Sequence, residues 1–296
     1  MEATSATHVS TAPQGVRRPV VRARAMRFAF DPDVVPKHWL AGSPLATHIS
    51  NGVSLLFPAG ERFFVRSVHR YLEQVADDPE LVAQIRGFFG QEGRHAREHE
   101  RHRELLEAQG YEVRAFVEAF ERSLRALEER FPDAFALAAT AAGEHFTAIL
   151  AEDAFADGEF AEYAHPVMAE LLLWHAAEEI EHKAVAFDVL QRVAPSYGVR
   201  VAGMVFASLF LAYWWQRATR MLLRQDGLGW RGLWREARRL RRLRAQTSRP
   251  SRSILRDVFL RGIREYLRPG FHPWERDTWP LVADYVAALD ARLDAG

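Results

Sequence analysis

Two short stretches of the chain place a glutamate and a histidine three residues apart, where an α-helix would bring both side chains to one face. The stretches are Glu92–His95 and Glu179–His182. In the second, positions at alternating steps of three and four read Leu172, His175, Glu179, His182, Ala186, Val189 and Val193, which is typical of the seam of a helix packed in a bundle. Burying ionisable groups in such a seam costs folding free energy unless a partner, such as a metal ion, compensates their charges.

The first Glu-x-x-His stretch belongs to a seam of the same kind, which reads Leu81, Ile85, Phe88, Glu92, His95, His99, His102 and Leu106. Two such helices, with one glutamate from each of two others, form the carboxylate-bridged dimetal site of ferritin-like bundles. Glu61 and Glu144 are lone glutamates at seam positions of two further predicted helices. On spacing alone, His175 is either an additional ligand or a core histidine. The alternative without a metal ion is a network of buried salt bridges with arginine.

Four residues beside these positions are candidates for an outer layer around the ligands. Gln91 and Glu178 directly precede two of the motif glutamates and could each orient a histidine on a neighbouring helix. For Glu178, a solvated position on the helix surface is equally compatible with the sequence. His99 and His102 continue the first seam by one and two turns, and we interpret them as outer-layer residues or residues at the mouth of the site.

Composition limits the chemistry that this chain can perform. The 296 residues carry no net charge, are 48% hydrophobic and include no cysteine. Disulfides, iron–sulfur clusters and thiol catalysis are therefore excluded, and the strong metal ligands that remain, His and carboxylate, suit iron or manganese. The absence of net charge gives no indication of a nucleic-acid partner. The first 20 residues lack an apolar core segment, so we expect a cytoplasmic protein, or one peripheral to the inner membrane.

Helical periodicity dominates the chain and predicts its fold class. Long amphipathic stretches, separated by Pro, Gly or Asp-Pro, predict helices over about 45–56, 60–76, 79–108, 113–130 and 133–156. A further helix is predicted to contain residues 172–193, bracketed by Pro166 and Pro195. No strand hairpin signal is present. The predicted fold is all-α, a ferritin-like four-helix bundle with additional C-terminal helices.

The predicted domain organisation is a short arm followed by one domain. Residues 1–30 are expected to be a disordered N-terminal arm, although residues 21–30 alternate weakly, as a short extended arm would. Residues 31–296 are expected to form a single ferritin-like helical domain. Within it, residues 58–195 form the dimetal bundle and residues 199–296 form a hydrophobic and basic helical extension.

The C-terminal extension contains two unusual segments. Residues 201–215 include no charged residue, but fifteen residues fall short of the roughly 20 that span a bilayer. This segment is either a buried core helix, a membrane-inserted helix or part of a pocket for a lipid-like substrate. Residues 230–244 pair an apolar stripe with an arginine-rich face, which indicates either membrane-surface contact or a solvated face. No motif for nucleic-acid binding accompanies it.

A bacterial family described as predicted metal-dependent hydrolases is similar to this chain in five blocks: FPAGERFF (57–64), QEGRHAREH (91–99), AAGEHFTAIL (141–150), WHAAEEIEHKAVAFDV (174–189) and RPGFHPW (268–274). The resemblance covers roughly residues 25–290. The metal motif alone is also similar to that of the p-aminobenzoate N-oxygenases, ferritin-like di-iron enzymes with a histidine four residues before the last motif glutamate. That similarity implies seven ligands here, namely Glu61, Glu92, His95, Glu144, His175, Glu179 and His182, and implies nothing about the substrate.

Our main hypothesis from the sequence is a non-haem di-iron oxygenase or oxidase that uses dioxygen to oxidise a hydrophobic small molecule. The expected cofactors are two Fe ions, with Mn as the other option, and Glu92 and Glu179 would bridge them. The remaining ligands would divide into two sets, Glu61 with His95 and Glu144 with His175 and His182. An external electron donor would be needed, because the chain has no cysteine and no flavin or nicotinamide motif.

Two alternatives remain open at this point. The first is a dimetal-dependent hydrolase of an ester or phosphate, although the sequence shows neither a separate acid or base nor a phosphate-binding loop. The second is a non-catalytic metal-binding protein associated with a membrane. A homodimer is compatible with the sequence in each case.

Overall fold

A computed structural model of the protein describes residues 18–247 and 253–295, which form helices joined by short turns. The α-helices are α1 (Pro44–Ser54), α2 (Phe57–His69), α3 (Pro79–Ala108), α4 (Arg114–Arg130), α5 (Asp133–Asp157), α6 (Glu159–Tyr163), α7 (Pro166–His182), α8 (Val185–Val193), α9 (Tyr197–Gln225), α10 (Trp230–Ala245), α11 (Arg261–Tyr266) and α12 (Ala283–Asp294). Over these residues the only β-type pairing is an isolated bridge between Leu40 and Ala164. The predicted all-α class is confirmed.

Three of the α-helices, α1, α3 and α9, begin where the sequence supplies a side-chain cap. The carboxylate of Asp78 accepts a hydrogen bond from the backbone N–H of Leu81, and Pro79 occupies the first helical position of α3. Ser43 and Ser196 cap α1 and α9 in the same way. These caps fix where each helix starts and therefore which residues face the interior.

Four helices enclose the interior that holds the predicted ligands. Helix α2 packs on α3 and α5, and α7 packs on α5 and α3. The same bundle contains an apolar core, which includes Ile85 and Phe88 of α3, Leu137 of α5 and Val189 of α8. This packing is compatible with the predicted four-helix bundle, and it brings the Glu-x-x-His segments of α3 and α7 to the same interior.

Two predicted helices differ from the observed ones. The helix expected through residues 172–193 is broken, because α7 ends at His182 and α8 begins at Val185. At this break the ammonium of Lys183 donates to the carbonyl of Arg276 at 2.7 Å and to the hydroxyl of Thr278 at 2.9 Å. The helix expected over 60–76 ends at His69 and continues only as a 3₁₀ turn over Leu72–Val75.

The N-terminal segment over residues 18–30 has no regular secondary structure and is partly buried. Residues 1–17 of the predicted arm lie outside the described residues. Over 18–30 the structure differs from the disorder we expected, because Val21, Arg24 and Phe28 are each at least nine-tenths buried. Val21 packs in the main core and Phe28 packs in a cluster with Trp174 of α7. The segment is therefore tied to the helices by both apolar and charged contacts.

Helix α9 contains the uncharged segment 201–215 and combines a buried face with an exposed one. Gly203 lies so close to α5 that a Cβ there would be 2.6 Å from the carbonyl carbon of Ala138. On the other face, Val205, Leu209 and Tyr213 are more than half exposed. By length and composition, α5 and α9 could each cross a membrane, but such a window is 67% buried in α5 and only 28% buried in α9. The core-helix interpretation therefore holds for one face of α9 only.

Candidate metal centre

The seven predicted ligands meet at one place inside the four helices. Each of them is at most 3% exposed. Helix α2 supplies Glu61, α3 supplies Glu92 and His95, α5 supplies Glu144, and α7 supplies His175, Glu179 and His182. Three overlapping sets of these residues have ligand atoms within 4.8 Å of one another: Glu61 with His95 and His175; Glu92 with His95 and Glu179; and Glu92 with Glu144 and His182.

One end of the centre is built around His182. Its Nε2 lies 3.2 Å from Oε2 of Glu144, 3.3 Å from Oε1 of Glu92 and 3.4 Å from Oε2 of Glu179. Three carboxylates from three different helices therefore face one imidazole nitrogen. Such a grouping of oxygen and nitrogen donors could hold a divalent cation.

The other end of the centre is built around His175, which differs from the division of ligands that we expected. Nε2 of His175 lies 3.8 Å from Oε1 of Glu61, and its ring stacks on that of His95 with centroids 4.1 Å apart. His175 is therefore grouped with Glu61 and His95 rather than with His182. The reason is the helix itself, since seven residues advance it by about 10.5 Å and carry the two imidazoles to opposite ends.

Most of the inward-facing atoms that could coordinate a metal ion have no hydrogen-bond partner. They are both carboxylate oxygens of Glu61, Glu92 and Glu144, together with Nδ1 of His95 and Nε2 of His182. Buried polar atoms without partners are rare and call for an explanation. Among the described residues, no arginine forms an ion pair with these glutamates, so the salt-bridge alternative has no support. The donor set fits metal ions, which would satisfy these atoms together.

The electrostatics of the metal-free centre show how strongly the carboxylates oppose one another. Burial, and next the charge of a neighbouring glutamate, raises the pKa of both Glu92 and Glu144 to about 8. Burial and the charge of Glu92 raise the pKa of Glu61 as well. For His182, burial lowers the pKa, but the carboxylates of Glu179 and Glu144 raise it more. Without a metal ion, the centre must therefore take up protons.

This proton uptake predicts how the stability of the metal-free protein depends on pH. Between the ordinary pKa of 4.5 and about 8, Glu92 and Glu144 hold more protons in the folded chain than in the unfolded one. The stability that these two protonated glutamates add to the folded protein is therefore fully present below their pKa in the unfolded chain. It is lost as the pH rises through their pKa in the folded chain. We expect the melting temperature of chelator-treated protein to fall over this interval, and that of metal-loaded protein to fall less. A metal-free protein that becomes more stable over the same interval would contradict this.

Each motif histidine is held from outside by a residue of the other Glu-x-x-His helix. Nε2 of His95 donates to Oε2 of Glu178 at 2.9 Å, and Nδ1 of His182 donates to Oε1 of Gln91 at 2.7 Å. These bonds leave Nδ1 of His95 and Nε2 of His182 facing the glutamates. Such partners orient a ligand ring and fix its tautomer. Gln91 and Glu178 thus lie where an outer layer would require them.

A single arginine joins both of these outer contacts, and no pattern in the sequence predicts it. The guanidinium of Arg24 lies 3.2 Å from Oε1 of Glu178 and 2.7 Å from Oε2 of Glu181. Glu181 in turn accepts a hydrogen bond from Gln91. The side chain of Arg24 is only 2% exposed, so water does little to solvate its positive charge. The carboxylates of Glu178, Glu181 and Asp290 of α12 compensate this charge instead. Nothing in the local sequence distinguishes Arg24 from Arg22.

A second outer group lies behind His175. Its Nδ1 is 2.7 Å from Nε2 of His99, and the hydroxyl of Ser54 is 2.7 Å from Nδ1 of both His99 and His102. The ring of Phe57 contacts the rings of His175 and His99 with centroids 4.4 and 4.7 Å away. His99 therefore orients His175, whereas His102 is two hydrogen bonds further from the centre, through Ser54.

An apolar cavity reaches the centre from the side. Its volume is about 510 Å³, and its wall includes His175, Glu179 and Thr147. Val53 and Leu150 form apolar parts of that wall, and Leu240 and Leu243 of α10 also line it. A smaller cavity of about 100 Å³ touches Glu61 and Thr147. The hydroxyl of Thr147 also donates to Glu179, so this threonine lies between the cavities and the carboxylates.

The fold and the site together define an all-α protein with a buried carboxylate and histidine centre that fits metal ions. A family model described as "Predicted metal-dependent hydrolase" matches residues 22–277, and the chain belongs to this family. Comparison with curated proteins gave no match, and comparison with solved structures gave none either. The family description agrees with the hydrolase alternative rather than with the oxygenase. The ferritin-like di-iron site and the identity of the metal stay predictions.

Proposed function

We propose that the protein is a dimetal hydrolase that cleaves esters of apolar acids. One observation carries this proposal. Eight buried donor atoms of Glu61, Glu92, His95, Glu144 and His182 converge without hydrogen-bond partners, beside a cavity lined mainly by apolar residues. Divalent ions held there would supply Lewis acidity toward a carbonyl oxygen and toward water.

The chain itself would perform the positioning. Gln91 and Glu178 hold the motif histidines in one tautomer each, with the free nitrogens toward the glutamates. The hydroxyl of Thr147 holds Glu179 at the cavity wall. Phe57, Val53 and Leu150 give the cavity side of the centre an apolar wall, and an apolar surrounding strengthens electrostatic interactions inside it.

The cavity supports an ester more than a phosphate as substrate. Its described lining is apolar over most of its area, and the cations in it, Arg241 and Arg244, both belong to α10 rather than to the helices of the centre. A phosphate ester requires cations or backbone donors around its oxygens. A volume of about 510 Å³ is that of a typical small-molecule site and would accommodate an acyl chain or a ring compound.

Oxidation of an apolar molecule with dioxygen is the second candidate, and the donor set favours it. Four carboxylates with imidazoles, supplied as two Glu-x-x-His helices and two lone glutamates, are the ligands of di-iron and di-manganese bundle proteins. Two Fe ions would be the cofactors, with Mn as the other option, and an external electron donor would be required. Beyond the ligands, the only carboxylate in the described wall of this cavity is that of Asp153, and no further histidine lines it.

Anaerobic turnover of p-nitrophenyl esters separates the two candidates. We expect metal-stripped protein reloaded with Zn²⁺, Mn²⁺ or Fe²⁺ to hydrolyse these esters without oxygen or reductant. The value of kcat/KM should rise up to about fourfold for each CH₂ added to the acyl chain, because each buried CH₂ contributes about 0.8 kcal/mol. Val53→Trp, which fills the cavity, should lower kcat/KM for the octanoyl ester and leave the acetyl ester nearly unchanged.

The control for this assay is the same protein kept free of metal, which should be inactive toward every ester. Absence of ester turnover with any of the three metals would contradict the hydrolase proposal. Consumption of dioxygen by reduced, iron-loaded protein in the same preparation would then support the oxidation candidate.

A further inference from the structure

Helix α10 presents an unpaired basic face, which we define as Trp230, Arg231, Trp234, Arg235, Arg238, Arg241 and Arg242. On a helix these residues fall within an arc of about 140°. Trp230 is 74% exposed and Trp234 is 57% exposed, and none of the residues of α10 is fully buried. Within the described part of the chain, none of the five arginines forms an ion pair; Arg231 and Arg238 contact only the tryptophan rings, at 5.2 and 4.4 Å.

The opposite face of α10 fixes this orientation. The carboxylate of Glu236, the one acid in the helix, accepts a hydrogen bond from Ser43 at 2.7 Å. The guanidinium of Arg239 donates to the carbonyl of Ala41 at 2.8 Å. The single acid and one arginine of α10 are thus used to attach the helix to the start of α1. The basic face is consequently held outward with an excess of five positive charges.

Two tryptophans beside five unpaired arginines form a surface that complements anionic lipid headgroups. Tryptophan is favoured at the level of the headgroups because its ring is apolar and its N–H is polar. Arginines with apolar stems attract anionic lipids and keep their charge in the headgroup layer. The ring arrangement does not match a nucleic-acid platform as well, because an arginine covers each tryptophan ring. We propose that the basic face of α10 docks on the surface of an anionic bilayer.

The same helix forms part of the wall of the apolar cavity beside the metal centre, which suggests a reason for docking. Leu240, Arg241 and Leu243 line the cavity that reaches His175 and Glu179. A docked α10 would bring that cavity to the lipid surface, where an apolar substrate is concentrated. This second step rests on the proposed function, whereas the docking itself does not.

Vesicle sedimentation with the full chain tests the docking. We expect binding to vesicles of phosphatidylcholine with phosphatidylglycerol at low salt, weakened by added salt, and little binding to phosphatidylcholine alone. The variant Arg235→Gln/Arg238→Gln/Arg242→Gln should bind about 100-fold more weakly, from the contribution of each arginine near an anionic surface. Brominated lipids should quench the fluorescence of the native protein more than that of Trp230→Phe/Trp234→Phe.

The matched control carries the same change of charge on another exposed helix. Arg114→Gln/Arg122→Gln/Arg130→Gln on α4 should bind vesicles as the native protein does. Equal loss of binding in both triple variants, or binding that ignores lipid charge, would overturn the proposal. So would binding of a short RNA in place of vesicles. Metal content and turnover of a soluble acetyl ester should be unchanged in both variants, so a failure of the hydrolase proposal is recognised separately.

Discussion

Glu92→Gln should make the metal-free protein more stable and should at the same time remove at least one of the two expected metal ions. The native carboxylate is buried beside Glu179, and burial with this neighbouring charge raises its pKa to about 8. A glutamine of the same shape carries no charge, so the cost of burial and repulsion disappears. It is also a much weaker ligand for a divalent ion. A gain of about 1 kcal/mol would raise the melting temperature by about 2–4 °C.

Two measurements check this result, metal analysis of the protein as purified and thermal unfolding at pH 8 with a chelator. We expect the native protein to hold two ions and the variant at most one. Glu98→Gln is the matched control, because Glu98 lies on the same helix and is also buried but pairs with Arg101 at 2.7 Å. It should keep both ions and gain no stability. A Glu92→Gln protein that is less stable and retains its metal would show that the glutamates serve a purely structural network.

Arg24→Met should cost about 3–5 kcal/mol of stability, the largest loss that we expect from a single substitution in this chain. It removes the cation that faces the buried carboxylates of Glu178 and Glu181 and leaves both without a compensating charge. Urea unfolding of the metal-loaded protein measures the loss. Arg22→Met is the control on the same segment, because its side chain is 52% exposed and its removal should cost less than about 1 kcal/mol.

Replacing Glu178 and Glu181 in the Arg24→Met variant should restore stability but not the affinity for metal. In Arg24→Met/Glu178→Gln/Glu181→Gln, positions 178 and 181 no longer carry the buried charges that Arg24 compensates, so we expect most of the loss in unfolding free energy to be recovered. Affinity for metal should nevertheless fall about 10–100-fold, because the ring of His95 loses its carboxylate partner. If the triple variant binds metal as tightly as the native protein, the outer layer does not act on the centre.

The composition of the centre could be predicted from sequence because each helix encodes its own inward face. Glu61, Glu92, Glu144 and Glu179 occupy seam positions that periodicity alone reveals, and all four lie together in the structure. That they hold a metal stays a prediction. The position of His175 could also be read from the sequence, because seven residues of helix separate it from His182 by about 10.5 Å. The expected grouping of His175 with His182 does not account for this rise, and the structure groups His175 with Glu61 and His95 instead.

Contacts between residues far apart in the chain could not be predicted from local sequence patterns. Arg24 is 154 residues from Glu178, and no spacing rule connects them. The break after His182 depends on Lys183 reaching Thr278, which is again a contact of tertiary structure. Helix α10 shows the opposite case, since its arginine face was evident from sequence while its attachment to Ser43 was not.

The guanidinium of Arg24 also joins the two ends of the chain, since Asp290 lies 266 residues further on and accepts its Nε–H at 2.8 Å. Bringing together groups so far apart costs much loop-closure entropy, and it gains nothing until the intervening helices are in place. We therefore expect the ion pair between Arg24 and Asp290 to form after the rate-limiting step of folding. The free energy of this ion pair would then affect the rate of unfolding rather than the rate of folding. A stronger ion pair would thus lengthen the lifetime of the metal-bound native protein.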